Sequence, residues 1–482
     1  MKLERLIPAL APSHVVGRPS VEIRDLAYDA RRVAPGALFF CVPGARTDGH
    51  EFAGEAVGRG AVGLVVERPL ELPVPQLVVA DARAAMALTA DVFFGQPTRE
   101  LTVAGVTGTN GKTTTAYLLQ SVLAAAGLRP GLVTTIETIV GDERRPAVRT
   151  TPEAIDLQRT FRAMLDRGDR SCAMEATSHG SELKRLLGVR FAVLVFTNLT
   201  RDHLDFHGTM ERYFQAKRQL FAERPPAAVN IGDPYGRRLA DELHGQADLL
   251  TFGLVPDADV RADGVELTGD GARFRTAGID IRTRLRGEFN VLNVLAAIAA
   301  CRLLRLPNEA IAAGVAALPG VPGRFEPVDE GQPFTVLVDY AHKPDALRSA
   351  LLASRSLSRN RLLCIFGCGG DRDREKRAEM GRIASTLADV SIVTSDNPRG
   401  EDALAIIDDA LAGAAGDVEV EPDRRAAIAR GLALAEPGDV LLIAGKGHEQ
   451  GQEFRGETVP FDDREVVREL LRERRVSRDK VA

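Results

Sequence analysis

Short runs of apolar residues, each closed by a turn rich in glycine, proline or threonine, recur along the whole chain. From position 101 the pattern reads LTVAGVT, then TTTAYLLQSVLAAAG, then GLVTTI. The first and last are continuous apolar runs of strand length. The middle one sets Ala116, Leu119, Leu123 and Ala126 at helical spacing and is closed by Gly127 and Pro130. Strand, helix, strand is the prediction. Runs at SCAMEAT, VLVFTNLT, AAVNI and DLLTFG follow, spaced widely enough for crossover connections, which predicts a mostly parallel sheet. Upstream, ALFFCV, AVGLVV and QLVVA alternate with turn residues as far as GQPTRE and predict a small α/β domain over residues 1–98. The Pro/Gly-rich segment LPGVPGRFEP marks a second boundary, so a central domain covers 99–320 and a third covers 321–482. In the third, four buried-strand patterns (FTVLVDY, RLLCIFGC, VSIVTSD, DVLLIAG) run at once into the polar turns YAHKPD, GGDRDREKR, SDNPRGE and GKGHEQ. Ligands of open α/β sheets sit at the carboxyl ends of strands, so these turns predict one shared site. The fold class expected is α/β in three domains, with residues 255–285 reading as an irregular β-rich excursion.

Composition narrows the partners. A length of 482 residues suits about three domains at roughly 100–200 residues each. Sixty-two basic and sixty-seven acidic residues leave a formal charge of −5 with no block of one sign, so neither nucleic acid nor a membrane surface is expected as partner. A phosphate-bearing ligand must then be held by a local site. Cys41, Cys172, Cys301, Cys364 and Cys368 lie mostly in apolar runs, as in a reduced compartment, and Cys364 and Cys368 have no second ligand pair that would suggest zinc. The opening MKLERLIPALAPSH lacks the apolar core of a secretory signal, and the longest apolar stretch is broken by Asn293, Cys301 and Arg302. A cytoplasmic protein is expected. Only eight of the sixty-two basic residues are lysine.

The strongest local signal is TVAGVTGTNGKTTT. A buried strand enters Gly108, Thr109, Asn110, Gly111, Lys112, Thr113 and Thr114, and a helix opens directly behind. This is a phosphate cradle: the glycines let backbone N–H groups turn inward, and the helix N-terminus adds partial positive charge. Lys112 can reach terminal phosphates and the Thr113 hydroxyl can ligate Mg2+. The general pattern wants a further glycine where this chain has Val106, so the loop is a shortened variant.

Two other stretches carry chemistry. CAMEATSHG delivers Glu175 at the polar end of a strand, where a carboxylate is costly unless paired or metal-bound. VLVFTNLTRDHLDFHG ends in Asn198, Asp202, His203, Asp205 and His207; an acid and a histidine at neighbouring strand ends beside a phosphate loop suit a second divalent ion, with a plain turn role the alternative for His203. In the following helix Met210, Tyr213, Phe214, Leu220 and Phe221 form an apolar face, and Lys217 lies on it. Such a lysine snorkels, pairs with an acid, or is neutral and able to take up CO2 as a carbamate. His179, His207 and His448 receive no role.

Taken in order, GTNGKTT, TTPE, MEATSHG, TNLTRDHLDFHG, the Lys217 helix, GEFNVLN, PGRFE, VDYAHKPDAL and GKGHE resemble the Mur ligase family, from about Asp25 to about Gln450. Within it the resemblance is to members that add the third peptide residue to UDP-N-acetylmuramoyl-L-alanyl-D-glutamate (UDP-MurNAc-L-Ala-D-Glu). It implies an N-terminal nucleotide-sugar domain, a central P-loop ATPase and a Rossmann-like C-terminal domain presenting the amino acid. It implies an ADP-forming, ATP-dependent ligase of peptidoglycan precursor synthesis, acting as a monomer in the bacterial cytoplasm on small molecules alone.

By the same resemblance the loop 108–114 holds ATP, Thr113 and Glu175 ligate Mg2+, and His203 and a carbamylated Lys217 (N6-carboxylysine) belong to the second metal's setting. Asn293 matches an adenine contact, Arg324 and Asp339 match ATP contacts, and Thr150, Thr151, Thr177 and Arg185 match muramoyl-dipeptide contacts. Ala30 stands where the family usually has a serine near the uridine nucleotide, Arg149 replaces a common asparagine, and Leu183 stands where some relatives carry glutamine. Asp396, Asn397, Pro398 and Arg399 resemble the signature of ligases using meso-diaminopimelate, with Arg372, Gly445 and Glu449 as further contacts. The chemistry agrees, since an arginine forks onto the second carboxylate that diaminopimelate has and lysine lacks. The rivals are the same reaction with L-lysine or L-ornithine, a folylpolyglutamate-type ligase, and an inactive P-loop scaffold.

Overall fold

Strands buried on both faces need apolar residues at every position, and the pleat sends alternate residues to opposite layers. The N-terminal strands follow this rule. Leu38, Phe40, Val65 and Leu77 enter one apolar layer, while Phe39, Leu64, Val66 and Val78 enter the other. The computed structural model describes residues 1–44 and 47–479, with side chains through Arg475. It forms two units: Met1–Thr107, Gly127–Leu194 and Ala216–Pro226 in the first, and Gly108–Ala126, Val195–Gln215 and the chain from Ala227 onward in the second.

The first unit opens with strands His14–Val16, Asp25–Ala27, Ala37–Phe40, Gly63–Val66 and Gln76–Val78, ordered 1-5-4-3-2 by chain position. All neighbours are parallel except the first strand against the fifth. Further on, Ser171–Glu175 runs parallel to Thr102–Thr107 on one side and to Pro130–Val133 on the other, with Glu175 in register with Val106. Strand Glu137–Val140 then pairs antiparallel with Pro130–Val133 and with Glu143–Pro146. Pro130 therefore opens a strand, a position where its missing N–H is tolerated.

The second unit holds the helix Lys112–Ala125 behind the phosphate loop and the parallel strands Ala227–Asn230, Leu249–Gly253 and Val260–Arg261. Residues 263–283, expected to be irregular, form an ordered antiparallel meander of Asp263–Thr268, Gly271–Thr276 and Ile279–Thr283. Ala272, Phe274, Thr276, Ile279, Ile281 and Thr283 are buried while Arg273, Arg275, Asp280 and Arg282 face out. One buried face gives alternation, not an apolar run, so a search for runs passes over it.

The last sheet comprises Glu326–Pro327, Thr335–Asp339, Leu362–Cys368, Val390–Ser395, Glu419–Val420 and Val440–Ala444, ordered 1-2-6-3-4-5 by chain position. Every pair is parallel except the first. The strands ending at Asp339, Ala444, Cys368 and Ser395 are therefore neighbours and release their turns along one edge. A hairpin, Gly451–Phe454 with Glu457–Pro460, follows the last of them. Among the described residues, no helix is long and apolar enough to cross a membrane.

Candidate functional site

The phosphate loop is built inside the second unit. Gly108 has φ 140°, and a Cβ there would lie 1.9 Å from Thr197 Oγ1; Gly111 has φ 84°, and a Cβ would lie 2.2 Å from Asn293 Oδ1. Both positions demand glycine for conformation and for space. The loop is tied down from outside: Thr109 N–H donates to the Asn198 carbonyl at 2.8 Å, Asn110 N–H to Asn198 Oδ1 at 2.9 Å, and Thr197 Oγ1 to the Asn110 carbonyl at 2.7 Å. Lys112 Nζ donates to the carbonyls of Gly108 and Thr109 at 3.1 and 2.8 Å. Asn293 is buried and its Nδ2 donates to Asn290 Oδ1 at 2.9 Å, so the expected adenine contact is seated against the loop.

Arg324 joins this loop from far along the chain. Its Nη2 donates to Thr113 Oγ1 at 3.1 Å, and its guanidinium lies over the Tyr340 ring at 4.3 Å. Asp339 Oδ2 accepts from Phe325 N–H at 2.6 Å. Burial pushes the Asp339 carboxyl up to about 6, against the opposing pull of the Arg324 charge.

In the first unit Glu175 is buried and accepts from Thr135 N–H and Oγ1 at 2.8 and 3.0 Å. Thr150 Oγ1 is 3.1 Å from Thr135 Oγ1, and Thr177 Oγ1 donates to Thr151 Oγ1 at 2.9 Å. Four candidate residues thus form one hydroxyl-rich group. Arg185 Nη1 donates to the Thr151 carbonyl at 3.1 Å and its Nη2 is 2.8 Å from Glu153 Oε1. Arg149 and Arg83 reach the same carboxylate at 3.0 and 3.4 Å. Glu153 and Arg83 escaped the sequence reading, and Arg149 turns out to be the third cation of this cluster. Ala30 is buried in an apolar layer with Ala37 and Phe39, and Asp29 accepts from Arg31 Nε and Nη2 at 2.9 and 2.8 Å.

Along the edge of the last sheet the predicted turns converge. Asn397 Nδ2 donates to Glu449 Oε2 at 2.8 Å, and Asn397 N–H donates to Asp396 Oδ1 at 2.8 Å. Gly445 approaches Asp396 so closely that a Cβ there would lie 2.5 Å from Asp396 Oδ2. Arg399 is placed by the hairpin and not by the proline before it. Pro398 restricts the residue before it, Asn397, while Arg399 itself has φ 54° and is held by the hairpin. Its N–H donates to the Glu453 carbonyl at 3.0 Å, its Nε to Glu453 Oε2 at 3.1 Å, and its Nη1 to the Gly370 carbonyl at 2.8 Å. Arg372 is exposed, with Nη1 3.5 Å from the Asp371 carbonyl.

His203 caps a short helix with φ 52°, and its Nε2 is 3.0 Å from Asp202 Oδ2. Lys343 Nζ reaches the same oxygen at 2.5 Å. Although burial opposes it, the charges of Lys343 and His203 hold Asp202 well below the usual carboxylate range. Lys217, in the helix Met210–Arg218, is 1% exposed. Its head group does not reach water, which excludes the snorkelling arrangement. Among the described residues no three His, Cys, Asp or Glu side chains form a metal cage. The candidate donors are a hydroxyl (Thr113) and an imidazole (His203) in the second unit, and in the first a carboxylate (Glu175) and a buried lysine that ligates only as a carbamate (Lys217). A few hard oxygen donors fit Mg2+, which keeps waters and takes further ligands from phosphates.

Family profiles match consecutive segments: the Mur ligase family catalytic domain over residues 22–94, the Mur ligase middle domain over 106–301 and the Mur ligase glutamate ligase domain over 323–447. A UDP-N-acetylmuramoyl-L-alanyl-D-glutamate–2,6-diaminopimelate ligase of Solibacter usitatus is 48% identical over 487 residues, spanning 98% of this chain and 97% of its own. The chain belongs to the Mur ligase family. A ligase of the same name from Geobacillus thermodenitrificans is 47% identical, spanning 98% of this Mur ligase and 100% of its own length. A solved structure of a ligase so named superposes with a TM-score of 0.70 at 30% identity, over 98% of this chain and 99% of that one.

Four residues that touch the candidate residues or their neighbours carry no expectation from the sequence: Lys446, Tyr340, Lys343 and Glu453. A signal for two of them existed. In a chain with only eight lysines, Lys343 in YAHKPD and Lys446 in GKGHE stand inside the motifs that carry the family resemblance.

Proposed function

We propose that this Mur ligase joins meso-2,6-diaminopimelate to the D-glutamyl γ-carboxylate of UDP-MurNAc-L-Ala-D-Glu at the expense of ATP, in the bacterial cytoplasm and as a monomer. The observation that carries the choice of amino acid is the group of turns at the edge of the last sheet, which brings Asn397 onto both Asp396 and Glu449 and, two residues on, holds the Arg399 guanidinium against the Gly370 carbonyl. The distal end of diaminopimelate bears both a carboxylate and an ammonium group, and so matches both kinds of partner. Lysine and ornithine offer only the ammonium and leave the arginine unmatched. The full-length likeness to ligases named for diaminopimelate supports the same reading.

The division of labour follows the proposed domains: 1–98 for the nucleotide sugar, 99–320 for ATP, and 321–482 for the amino acid. The γ-carboxylate oxygen attacks the γ-phosphorus of ATP, ADP leaves, and an acyl phosphate forms. Lys112, whose ammonium donates to two loop carbonyls, follows the charge that spreads over the transferring group. Thr113 and Glu175 would hold Mg2+, with His203 and carbamylated Lys217 in the setting of a second ion, and the metal's contribution is neutralisation of phosphate charge. Arg324 is withdrawn from Thr113 to an ATP oxygen, and Asn293 lies against the adenine. Thr150, Thr151, Thr177 and Arg185 orient the dipeptide. The uncharged amine of diaminopimelate then attacks the acyl carbon, the amide forms and phosphate leaves.

The test is ligation by the purified chain with ATP and UDP-MurNAc-L-Ala-D-Glu, offering meso-diaminopimelate, L-lysine and L-ornithine separately and reading products by mass. A dominant diaminopimelate product is expected. Equal or faster use of lysine overturns the choice of amino acid, and phosphate release that ignores the UDP-peptide overturns the ligase reading.

A further inference from the structure

Lys446 is 0% exposed, at the turn that leaves strand Val440–Ala444. Its Nζ donates to Asn397 Oδ1 at 2.9 Å and to Glu449 Oε2 at 3.0 Å. Asn397 Nδ2 closes the triangle onto the same Glu449 oxygen at 2.8 Å. Asn397 Oδ1 also accepts from Glu453 N–H at 3.0 Å. The Asn397 amide therefore has one possible orientation, with two donors on its oxygen and a carboxylate on its nitrogen.

The consequence for Glu449 is asymmetric. Oε2 is engaged by an ammonium and an amide, whereas Oε1 meets the Tyr340 hydroxyl at a long 3.4 Å. On the next turn Asp396 Oδ2 is buried without a hydrogen-bond partner. Two carboxylates so placed repel one another and resist burial unless a cation stands with them. Lys446 is the cation in direct contact with Glu449, at 3.0 Å.

We infer that Lys446 is a positioning residue for amino-acid recognition: it locks Asn397 and Glu449 so that Glu449 Oε1 is presented to the ammonium group of the incoming amino acid. The inference rests on the reading that this pocket takes diaminopimelate. Lys446 touches neither ATP nor the acyl phosphate in that scheme, so its removal acts on amino-acid binding and spares the first half-reaction. Glu449 acts through the same triangle, so the effects of the two residues are coupled and not additive.

The experiment uses the full-length chain with Lys446→Gln, Lys446→Met, Glu449→Gln and the double variant Lys446→Gln/Glu449→Gln. KM and kcat for meso-diaminopimelate are measured beside acyl-phosphate formation, trapped with hydroxylamine in the absence of amino acid. Both Lys446 variants are expected to raise KM tenfold or more, with hydroxamate yield within twofold of the parent. The double variant is expected to be little worse than Glu449→Gln alone. If Glu449→Gln raises KM while both Lys446 variants leave it unchanged, the pocket stands and the role of Lys446 is overturned. If hydroxamate formation falls with kcat in the Lys446 variants, Lys446 serves the fold or the phosphoryl step, and the inference is again overturned. If Glu449→Gln leaves KM for diaminopimelate unchanged, the pocket itself has been misassigned and the inference falls with it. Should Lys446→Met fail to fold, the Gln pair retains a donor at that position and decides alone.

Discussion

Replacing Arg399 by alanine tests the choice of amino acid, and the structure sets the scale of the effect. The guanidinium is held at one point by Glu453, through Nε at 3.1 Å, in a pair whose side chains are 22% and 42% exposed. A pair that open to water is worth about 0.2–1 kcal/mol. A substrate carboxylate taken by the charged fork gains about 1.5–3 kcal/mol per charged hydrogen bond. The substrate therefore displaces Glu453 and not the reverse. Losing Arg399 leaves a bound carboxylate without its charged partner, which costs about 2–5 kcal/mol, or roughly 30- to several-thousandfold in kcat/KM. Both arginine and alanine are L-residues with a Cβ, so the positive φ of 54° adds no new strain in the variant. L-lysine has no carboxylate at that end, and its kcat/KM is expected to change by less than about threefold. Glu453→Gln is the counter-perturbation: relieved of its competitor, Arg399 binds diaminopimelate up to about fivefold better. The assay is kcat/KM for meso-diaminopimelate and L-lysine in the parent and both variants. Equal losses for the two amino acids in Arg399→Ala refute the reasoning, because Arg399 then supports the hairpin or the fold and not selection.

Asp463→Asn strips the counter-charge from Arg424, a pair with both side chains 0% exposed and two contacts of 2.8 Å, and should cost about 3–5 kcal/mol. Because Arg424 also donates to the carbonyls of Ser395 and Ala444, which precede Asp396 and Gly445, KM for diaminopimelate should rise alongside a fall in Tm; a rise without any change in denaturation midpoint contradicts this account. Lys217→Arg should lower ligation on the order of 10–100-fold or more, since a guanidinium cannot form a carbamate; labelled bicarbonate should give a carbamate carbon signal in the parent alone, and near-normal turnover in the variant sinks the idea. Asp339 carries its proton more tightly folded than unfolded, so its contribution to stability is full below about pH 4 and lost as pH rises through about 6. Urea titrations should therefore find the parent losing about 3 kcal/mol relative to Asp339→Asn across that window, whereas a constant difference would rule burial out as the cause.

What the sequence settled by itself is whatever depends on neighbouring residues and on local period. The phosphate loop was legible because its cradle is made from contiguous backbone, Gly108 to Thr114, between a strand and a helix. Four of the six strands of the last sheet were legible because strands buried on both faces read as apolar runs, whereas the two-residue strands Glu326–Pro327 and Glu419–Val420 carry no such run; the shared edge followed from parallel topology. The motif order carried the Mur ligase resemblance across nearly the whole length. Tertiary structure decided the partners. Lys446, Asn397 and Glu449 meet because the strand Val440–Ala444 inserts into the sheet between earlier strands, which no local period encodes. Arg399 points where a later hairpin and its own left-handed backbone send it, and Pro398 before it says nothing about that. Arg149, Arg185 and Arg83 share Glu153, the last of them from 70 positions away. The burial of Lys217 follows from what covers its helix face, so an apolar stripe in sequence left snorkelling open and the packed structure closed it. Period and motif report the backbone's own conformation; the partner of a charged side chain is fixed only when distant segments are brought out of water together.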